Sequence, residues 1–378
     1  MGMEHRGRGR PLHIENGEPE SGGRHRLVLW IASWLVVVAA GCEGEVTTDG
    51  TPTPPPDPHD QTDPDEIIYW DALTGGESTT TFYGLTGFSD ADLYLVGQEG
   101  TVWRWDGTEL SLLVSLTTPE GAAPDLYAAW SFSDARGKVL YVGGTDGAIY
   151  RYDFLPGDNL TEEDFEWLET GTRSTFQALF GLDRDTLWAV GEGGIYQFDG
   201  ERWIRDATAP GGVRLLDVWG RQTEDSEVLY AAGRTGTLLT RTRDPASADS
   251  AVWTPVSLGR SEDLHAIWGL EDGTVFVAGQ YGLVLAFDGV NWTTMDTGVF
   301  DHLWAVWGRE TTSVFAVGTG GTTIYFDGNG WQRLSAGTHR NLYGVQGMDA
   351  GTVFAVGVGG TLLSYDGDPS PPPYQPDE

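Results

Sequence analysis

The stretch Val314-Phe315-Ala316-Val317-Gly318-Thr319-Gly320-Gly321-Thr322-Thr323-Ile324-Tyr325-Phe326-Asp327-Gly328-Asn329-Gly330-Trp331 decides the fold. It opens with a short apolar strand ending on glycine, continues through a Gly-Thr run into a second strand, and closes on Asp-Gly before a tryptophan. Apolar runs of four to six residues bounded by glycine read as strands, and Asp-Gly between two of them reads as a tight hairpin turn. Immediately upstream, Leu303-Trp304-Ala305-Val306-Trp307-Gly308 supplies another strand. The unit is therefore a four-stranded meander, with strands a, b, c and d in chain order.

Working outward, the same phrase returns across the chain. The glycine that ends strand b recurs at Gly97, Gly143, Gly191, Gly233, Gly279, Gly318 and Gly357, with successive copies 39 to 48 residues apart. That period is the range of propeller blades. Strand a reads FYGLTG from Phe82, LYAAWS from Leu126, FQALFG from Phe176, LLDVWG from Leu215, LHAIWG from Leu264, LWAVWG from Leu303 and LYGVQG from Leu342. Strand d centres on Trp167, Trp203, Trp253, Trp292 and Trp331 in five units and on Leu112 to Ser115 in the first. The strands are nearly continuously apolar, as expected when both sheet faces are covered. The pattern predicts an all-β fold: a seven-bladed β-propeller of four-stranded blades over residues 67–367. The folded region begins with a lone d strand, Ile67 to Leu73, and ends on a c strand without a following d. The two ends are expected to complete one blade, with residues 67–73 beside 361–366 and no open sheet edges.

The phrase Val-Phe-Ala-Val-Gly-x-Gly-Gly-Thr, then aromatic-Asp-Gly and Trp, resembles the repeats of BNR/Asp-box and photosystem II assembly factor (Ycf48-like) propellers, and of bacterial, myxobacterial-type propeller lipoproteins. Asp199-Gly200-Glu201-Arg202-Trp203 and Asp327-Gly328-Asn329-Gly330-Trp331 match the Asp-box only in part, which takes weight from a sialidase reading.

Outside the repeats, Arg24, His25 and Arg26 precede about fourteen apolar residues, Leu27 to Ala40, too few for a comfortable span that needs roughly 20. The segment reads as a cleaved leader covering residues 1–41. Ala39-Ala40-Gly41-Cys42 resembles the lipobox of bacterial lipoproteins, which implies diacylation of Cys42 as the mature N-terminus. An ordinary secretory leader or an uncleaved anchor are the alternatives. Cys42 is the sole cysteine, so no intramolecular disulfide forms. Residues 42–66 are Pro/Asp-rich and read as a disordered spacer, and 368–378 as a similar tail. These segments place the chain in the cell envelope, held at a membrane by a lipid after export.

The chain has 56 acidic and 22 basic residues, net charge −34, and one lysine, Lys138. Such a chain repels nucleic acid, so no nucleic-acid partner is expected. No GxxxxGK(S/T), HExxH or GxSxG motif and no cysteine cluster is present, so no catalytic residue, cofactor or metal is assigned. His265, His302 and His339 recur at intervals of 37 but in different strand registers, which argues against a shared metal. A sialidase-like glycosidase would need an arginine cluster, a tyrosine and an acid, for which Arg173, Arg234, Arg260 and Arg340 with Glu192 and Tyr281 are the available residues.

In such meanders the b–c turns and d–a connections share one face. Positions there vary between repeats while the strands do not, so the face is the expected ligand site. Its candidates are Glu99, Asp146, Arg173, Glu192, Arg234, Tyr281, His302, Trp304, His339, Arg340 and Tyr343. The second residue of strand a varies likewise: Tyr83, Tyr127, Gln177, Leu216, His265, Trp304 and Tyr343. Packing of these rings between blades is the alternative role. The reading is a monomeric, non-enzymatic lipoprotein binding an envelope protein or glycan, as an assembly or adhesion factor. A sialidase-type hydrolase and a purely structural surface protein are the competing readings.

Overall fold

The computed structural model describes residues 70–73, 79–154, 161–244, 251–348 and 351–366. The leader, Cys42, the spacer and the C-terminal tail lie outside them, as do Ile67 to Tyr69 and Gly367. Within them the chain forms seven four-stranded antiparallel sheets, the seven-bladed β-propeller that the repeats predict. Blade 1 shows the plan: strand a Phe82–Ser89, b Asp92–Gly97, c Thr101–Trp105 and d Leu110–Ser115. Strand a of blades 2 to 7 spans Leu126–Asp134, Phe176–Asp183, Leu215–Gln222, Leu264–Gly269, Leu303–Glu310 and Leu342–Gly347.

Blade 7 takes its d strand, Asp71–Ala72, from the N-terminal side, with Asp71 opposite Ser364 and Ala72 opposite Leu363. Leu73 N–H extends the ladder to Leu362 O at 3.0 Å. Trp70 is 2% exposed and packs 5.6 Å from the Tyr365 ring and 6.1 Å from Phe315 of blade 6. Closure thus removes two sheet edges and buries one of the largest side chains in the fold.

Strand b is buried along its whole length in blades 1 and 7, Asp92–Gly97 and Val353–Gly357, because its two faces meet neighbouring blades. The tryptophans expected at the centre of strand d sit at its ends. Trp203, Trp292 and Trp331 open the strand opposite Phe198, Phe287 and Phe326, with ring centroids 5.2, 5.0 and 5.4 Å apart. Each pairs with the last aromatic of strand c, and this cross-strand contact fixes the start of d. Trp253 precedes its strand, Thr254–Pro255, altogether.

The Asp-Gly turns are four-residue loops and not two-residue hairpins. Asp106 Oδ1 accepts the amides of Thr108 and Glu109, both at 2.8 Å, and Asp288 Oδ1 those of Val290 and Asn291 at 2.8 and 2.7 Å. The side chain closes the turn that backbone bonds alone would close in a shorter loop. A bond from the Thr108 hydroxyl and these amides hold the Asp106 carboxyl down at about 2.

Neighbouring blades interlock through the fifth and sixth residues of strand a. The Trp307 ring lies on Gly347 of blade 7, and Trp219 lies on Gly269 of blade 5. A Cβ on either glycine would sit 2.1 or 2.3 Å from the ring. Trp268 reaches Gly308 differently: it donates Nε1–H to the Gly308 carbonyl at 2.7 Å, while a Cβ on that glycine would meet Val314, Ser313 and Leu270. Where blade 2 has Ser131 in place of the glycine, blade 1 has Thr86 in place of an aromatic, and the two hydroxyls bond at 2.8 Å.

Candidate binding face

Every strand a carries a β-bulge at its second residue. Pairing with strand b skips that position in all seven blades: between Phe82 and Gly84, Leu126 and Ala128, Phe176 and Ala178, Leu215 and Asp217, Leu264 and Ala266, Leu303 and Ala305, and Leu342 and Gly344. A bulge re-aims a side chain that regular alternation would send between sheets. The seven second residues, Tyr83, Tyr127, Gln177, Leu216, His265, Trp304 and Tyr343, consequently ring the mouth of the central channel around a cavity of about 270 Å³. They face the channel instead of packing only between blades. A further cavity of about 180 Å³ lies along the second to fifth residues of the same strands.

Five of the seven ring residues form an unbroken arc. Centroid separations are 4.8 Å for Tyr127–Tyr83, 5.6 Å for Tyr83–Tyr343, 5.8 Å for Tyr343–Trp304 and 4.2 Å for the stacked Trp304–His265 pair. His302 lies 6.0 Å from both His265 and Trp304, and Tyr281 lies 5.2 Å from His302. The run therefore leaves the channel and crosses onto the outer face over blade 5, where Tyr281 is 65% and Phe300 87% exposed. Trp304 is fixed by its Nε1–H bond to Thr319 Oγ1, 3.0 Å. His265 Nδ1 meets Leu303 O at 2.9 Å, and burial pushes its pKa below the usual imidazole range. Burial, with Asp125 nearby, pushes the Tyr83 and Tyr127 hydroxyls upward.

The b–c turns frame this face. In six blades their middle residue is left-handed even where it is not glycine: Glu99 has φ 55°, Asp146 57°, Thr235 54° and Tyr281 58°. In four blades that residue's amide is held by the side chain preceding the next blade's strand a. Glu99 N–H donates to Asp125 Oδ1 (3.0 Å), Thr235 N–H to Asp263 Oδ1 (2.8 Å), Gly320 N–H to Asn341 Oδ1 (2.9 Å) and Tyr281 N–H to His302 Nδ1 (3.4 Å). Variability at this face did not mean freedom. Gln98 Oε1, Thr145 Oγ1 and Gln280 Oε1 each accept the amide that leads into their own blade's strand a, at 3.2, 3.0 and 3.0 Å.

Of the residues singled out in the sequence, Tyr281, His302, Trp304 and Tyr343 come together on the aromatic run. The others stand apart around the rim. Glu99 and Asp146 project from their turns, exposed. Arg173 pairs with Glu120 at 2.8 Å, Glu192 with Arg214 at 3.6 Å, and Arg340 donates to Gly359 O at 2.7 Å. Arg234 and His339 are exposed on separate blades. Arg260 is tied to Glu262 at 3.0 Å, and no arginine lines the channel among the described residues. His339 stays on the rim while His265 and His302 adjoin, and no cluster of metal-binding side chains occurs among the described residues.

Sequence reasoning missed Asp217. The third residue of strand a is Gly84, Ala128, Ala178, Ala266, Ala305 or Gly344 in six blades and aspartate in blade 4. Small residues suit this position because adjacent strands crowd together there; a Cβ on Gly84 would sit 2.7 Å from Tyr127 O. Asp217 spans the gap: Oδ1 accepts Val218 N–H and Oδ2 accepts Ile267 N–H of blade 5, both at 2.8 Å. It is the one carboxylate lining the channel among the described residues. Protein surrounds it although one edge stays open to the channel, and desolvation pushes its pKa up to about 7 against those two amides. The signal was its departure from the Gly/Ala register.

No family model matches the chain. A structure of YCF48 bound to D1 peptide superposes with TM-score 0.60 at 17% identity, covering 80% of this chain and 98% of that one. YCF48 from Cyanidioschyzon merolae gives 0.57 at 17% identity (79% and 98%), and the WD40 β-propeller domain of Doa1 gives 0.62 at 13% (82% and 99%). At these identities the likeness is one of fold. Immune protein Tsi7 of Pseudomonas aeruginosa is 33% identical over 110 residues, 27% of this chain and 32% of that protein. The chain thus spans about a third of the length of that curated relative, and what the solved structures establish is the β-propeller fold.

Proposed function

We propose that this chain is a lipid-anchored bacterial envelope protein whose propeller, without catalysis of its own, binds a protein partner on the face of the b–c turns. The observation that carries the reading is the continuous run of rings from Tyr281 over His302 and Trp304 to Tyr127 on that one face. Rigid aromatic side chains bury large area at small entropic cost, and they dominate protein interfaces. A propeller of similar fold holds a peptide, in the structure of YCF48 bound to D1 peptide. A glycosidase of sialidase type gains no support from a channel lining without arginine.

The test places a photo-crosslinking residue at Tyr281 and, separately, at Val290 on the opposite face of the same blade, in cells of the source organism. Discrete protein adducts from position 281 and none from 290 support the reading; adducts from 290 alone, or none from 281, overturn it. Anchoring is tested by Cys42→Ser, which is expected to release the chain from membranes and abolish its labelling with palmitate.

A further inference from the structure

We propose that the channel mouth takes the cationic side chain, lysine or arginine, of a partner segment, with the rings of Tyr83, Tyr127, Tyr343 and Trp304 around it and the Asp217 carboxylate beyond. The proposal rests on the protein-binding reading and names what the face recognises. Three features of the channel point to a cation. The mouth is bounded by aromatic rings at 4.8, 5.6 and 5.8 Å from one to the next, and ring faces attract ammonium and guanidinium groups. Deeper in, the lining holds one carboxylate and no cationic side chain among the described residues, and His265 is kept neutral by burial. Finally, Asp217 stands where the other blades carry Gly or Ala, which shows that the fold itself does not require a carboxylate there.

Each Asp217 oxygen accepts one amide and retains a second lone pair, so the group can receive a further donor without losing its interblade bonds. The rim does not oppose this. Arg173, Arg214 and Arg260 are neutralised by Glu120, Glu192 and Glu262, which leaves Arg234 on blade 4 and Arg340, bonded to the Gly359 carbonyl, exposed on the rim and outside the lining. Net charge of −34 on the whole chain draws basic partners toward it. From the mouth, a bound segment finds its next apolar contacts at Tyr281 and Phe300, exposed over blade 5.

The probes are capped pentapeptides, Gly-Gly-Lys-Gly-Gly and Gly-Gly-Arg-Gly-Gly, with norleucine and citrulline in place of the charged residue. They are titrated calorimetrically into the full chain at about pH 8, where Asp217 is ionised. Either charged peptide is expected to bind about tenfold or more tightly than its neutral counterpart, a difference that Asp217→Asn removes. Equal affinity for lysine and norleucine, retention of the preference by a folded Asp217→Asn variant, or no binding at about 10 mM peptide overturns the proposal. So does saturable binding of a neutral N-acetylglucosamine trisaccharide at the mouth with the peptides ignored. If Asp217→Asn fails to fold, Trp304→Leu gives the second reading: it must weaken the charged peptides at least as much as the neutral ones. Peptide failure alongside crosslinking from Tyr281 rejects the cation while leaving the binding face; failure of both rejects the face.

Discussion

Replacing Gly347 with alanine should destabilise the propeller, although the same change in a strand ordinarily stabilises it. Alanine costs less backbone freedom than glycine, a gain of about 0.5–1 kcal/mol where the backbone tolerates it. Gly347 is not in the left-handed region, so the backbone raises no objection. The obstacle is the Trp307 ring, whose Cη2, Cζ2 and Cζ3 atoms would lie 2.1, 2.4 and 2.5 Å from the new methyl. Carbon atoms pack at about 3.5–4 Å, so the ring must retreat by more than an ångström. It is 7% exposed and flanked by Phe315 and Trp268, with ring centroids at 6.5 and 6.3 Å. Overpacking of this kind costs about 1–3 kcal/mol, and the flat seating of the ring puts Gly347→Ala at the upper end, about 3 kcal/mol. The assay is a double-mutant cycle by urea unfolding. Trp307→Ala alone loses about 3–5 kcal/mol, but adding Gly347→Ala to it should cost nothing, giving a coupling of about 3 kcal/mol. Gly330→Ala, whose Cβ meets nothing within 4 Å, serves as the neutral control. Additive effects of Gly347→Ala and Trp307→Ala would refute the interblade seating.

Trp70→Ala removes the buried ring that seals blade 7 and should cost about 3–5 kcal/mol in the same unfolding assay, against near-neutrality if the N-terminal strand contributed nothing to closure. Glu227 is buried between Arg241 and Arg243; Glu227→Ala strands the Arg241 guanidinium and should lose about 3–5 kcal/mol, whereas an exposed pair such as Arg173–Glu120 should lose under about 1. Thr235, β-branched at φ 54°, should gain about 0.5–1 kcal/mol on replacement by glycine, and Gly320→Thr should lose a similar amount, both read from urea midpoints. For Asp217 the folded carboxyl holds its proton to about 7 while the unfolded one releases it near 4. Folding therefore takes up a proton between these values, and stability falls as pH rises through the window. Relative to Asp217→Asn the wild type should lose about 4 kcal/mol from pH 4 to above 7, and a flat difference between the two would contradict the raised pKa.

The blade count was legible because it rests on backbone requirements that particular residues satisfy: glycine ending strand b, and Asp-Gly with its side-chain-capped loop after strand c. Ring closure was legible from an arithmetic of strands, one d too early and one too few at the end. The places where the sequence misled are those where two strands or two blades negotiate. Nothing in Leu303-Trp304-Ala305 states that pairing skips Trp304; the skip is set by how strand a meets strand b at the crowded axis. Likewise Trp307 and Gly347 are 40 residues apart, and their fit belongs to the interface between blades. Gln98, Thr145 and Gln280 looked free because they differ, yet different side chains supply the same acceptor to the same amide.

The bulge explains why a site arises here at all. Residues one, three, four, five and six of strand a are tied to burial, to close strand approach or to the neighbouring blade, and substitution at any of them strains the ring. Among these six, residue two alone is lifted out of the ladder, so its side chain lines the channel without a packing duty in the sheet. A fold that repeats this device in each of its blades presents seven independently variable positions around one opening, with the interblade core left untouched. This chain has filled five contiguous ones with rings and has then broken the small-residue rule once, at Asp217, which follows Leu216 on blade 4 and lines the same channel. Chance substitution at a crowded third position would meet a steric and a desolvation cost, the latter visible in the raised pKa. The carboxylate there bridges blades 4 and 5 and still leaves each oxygen a lone pair for what enters the channel.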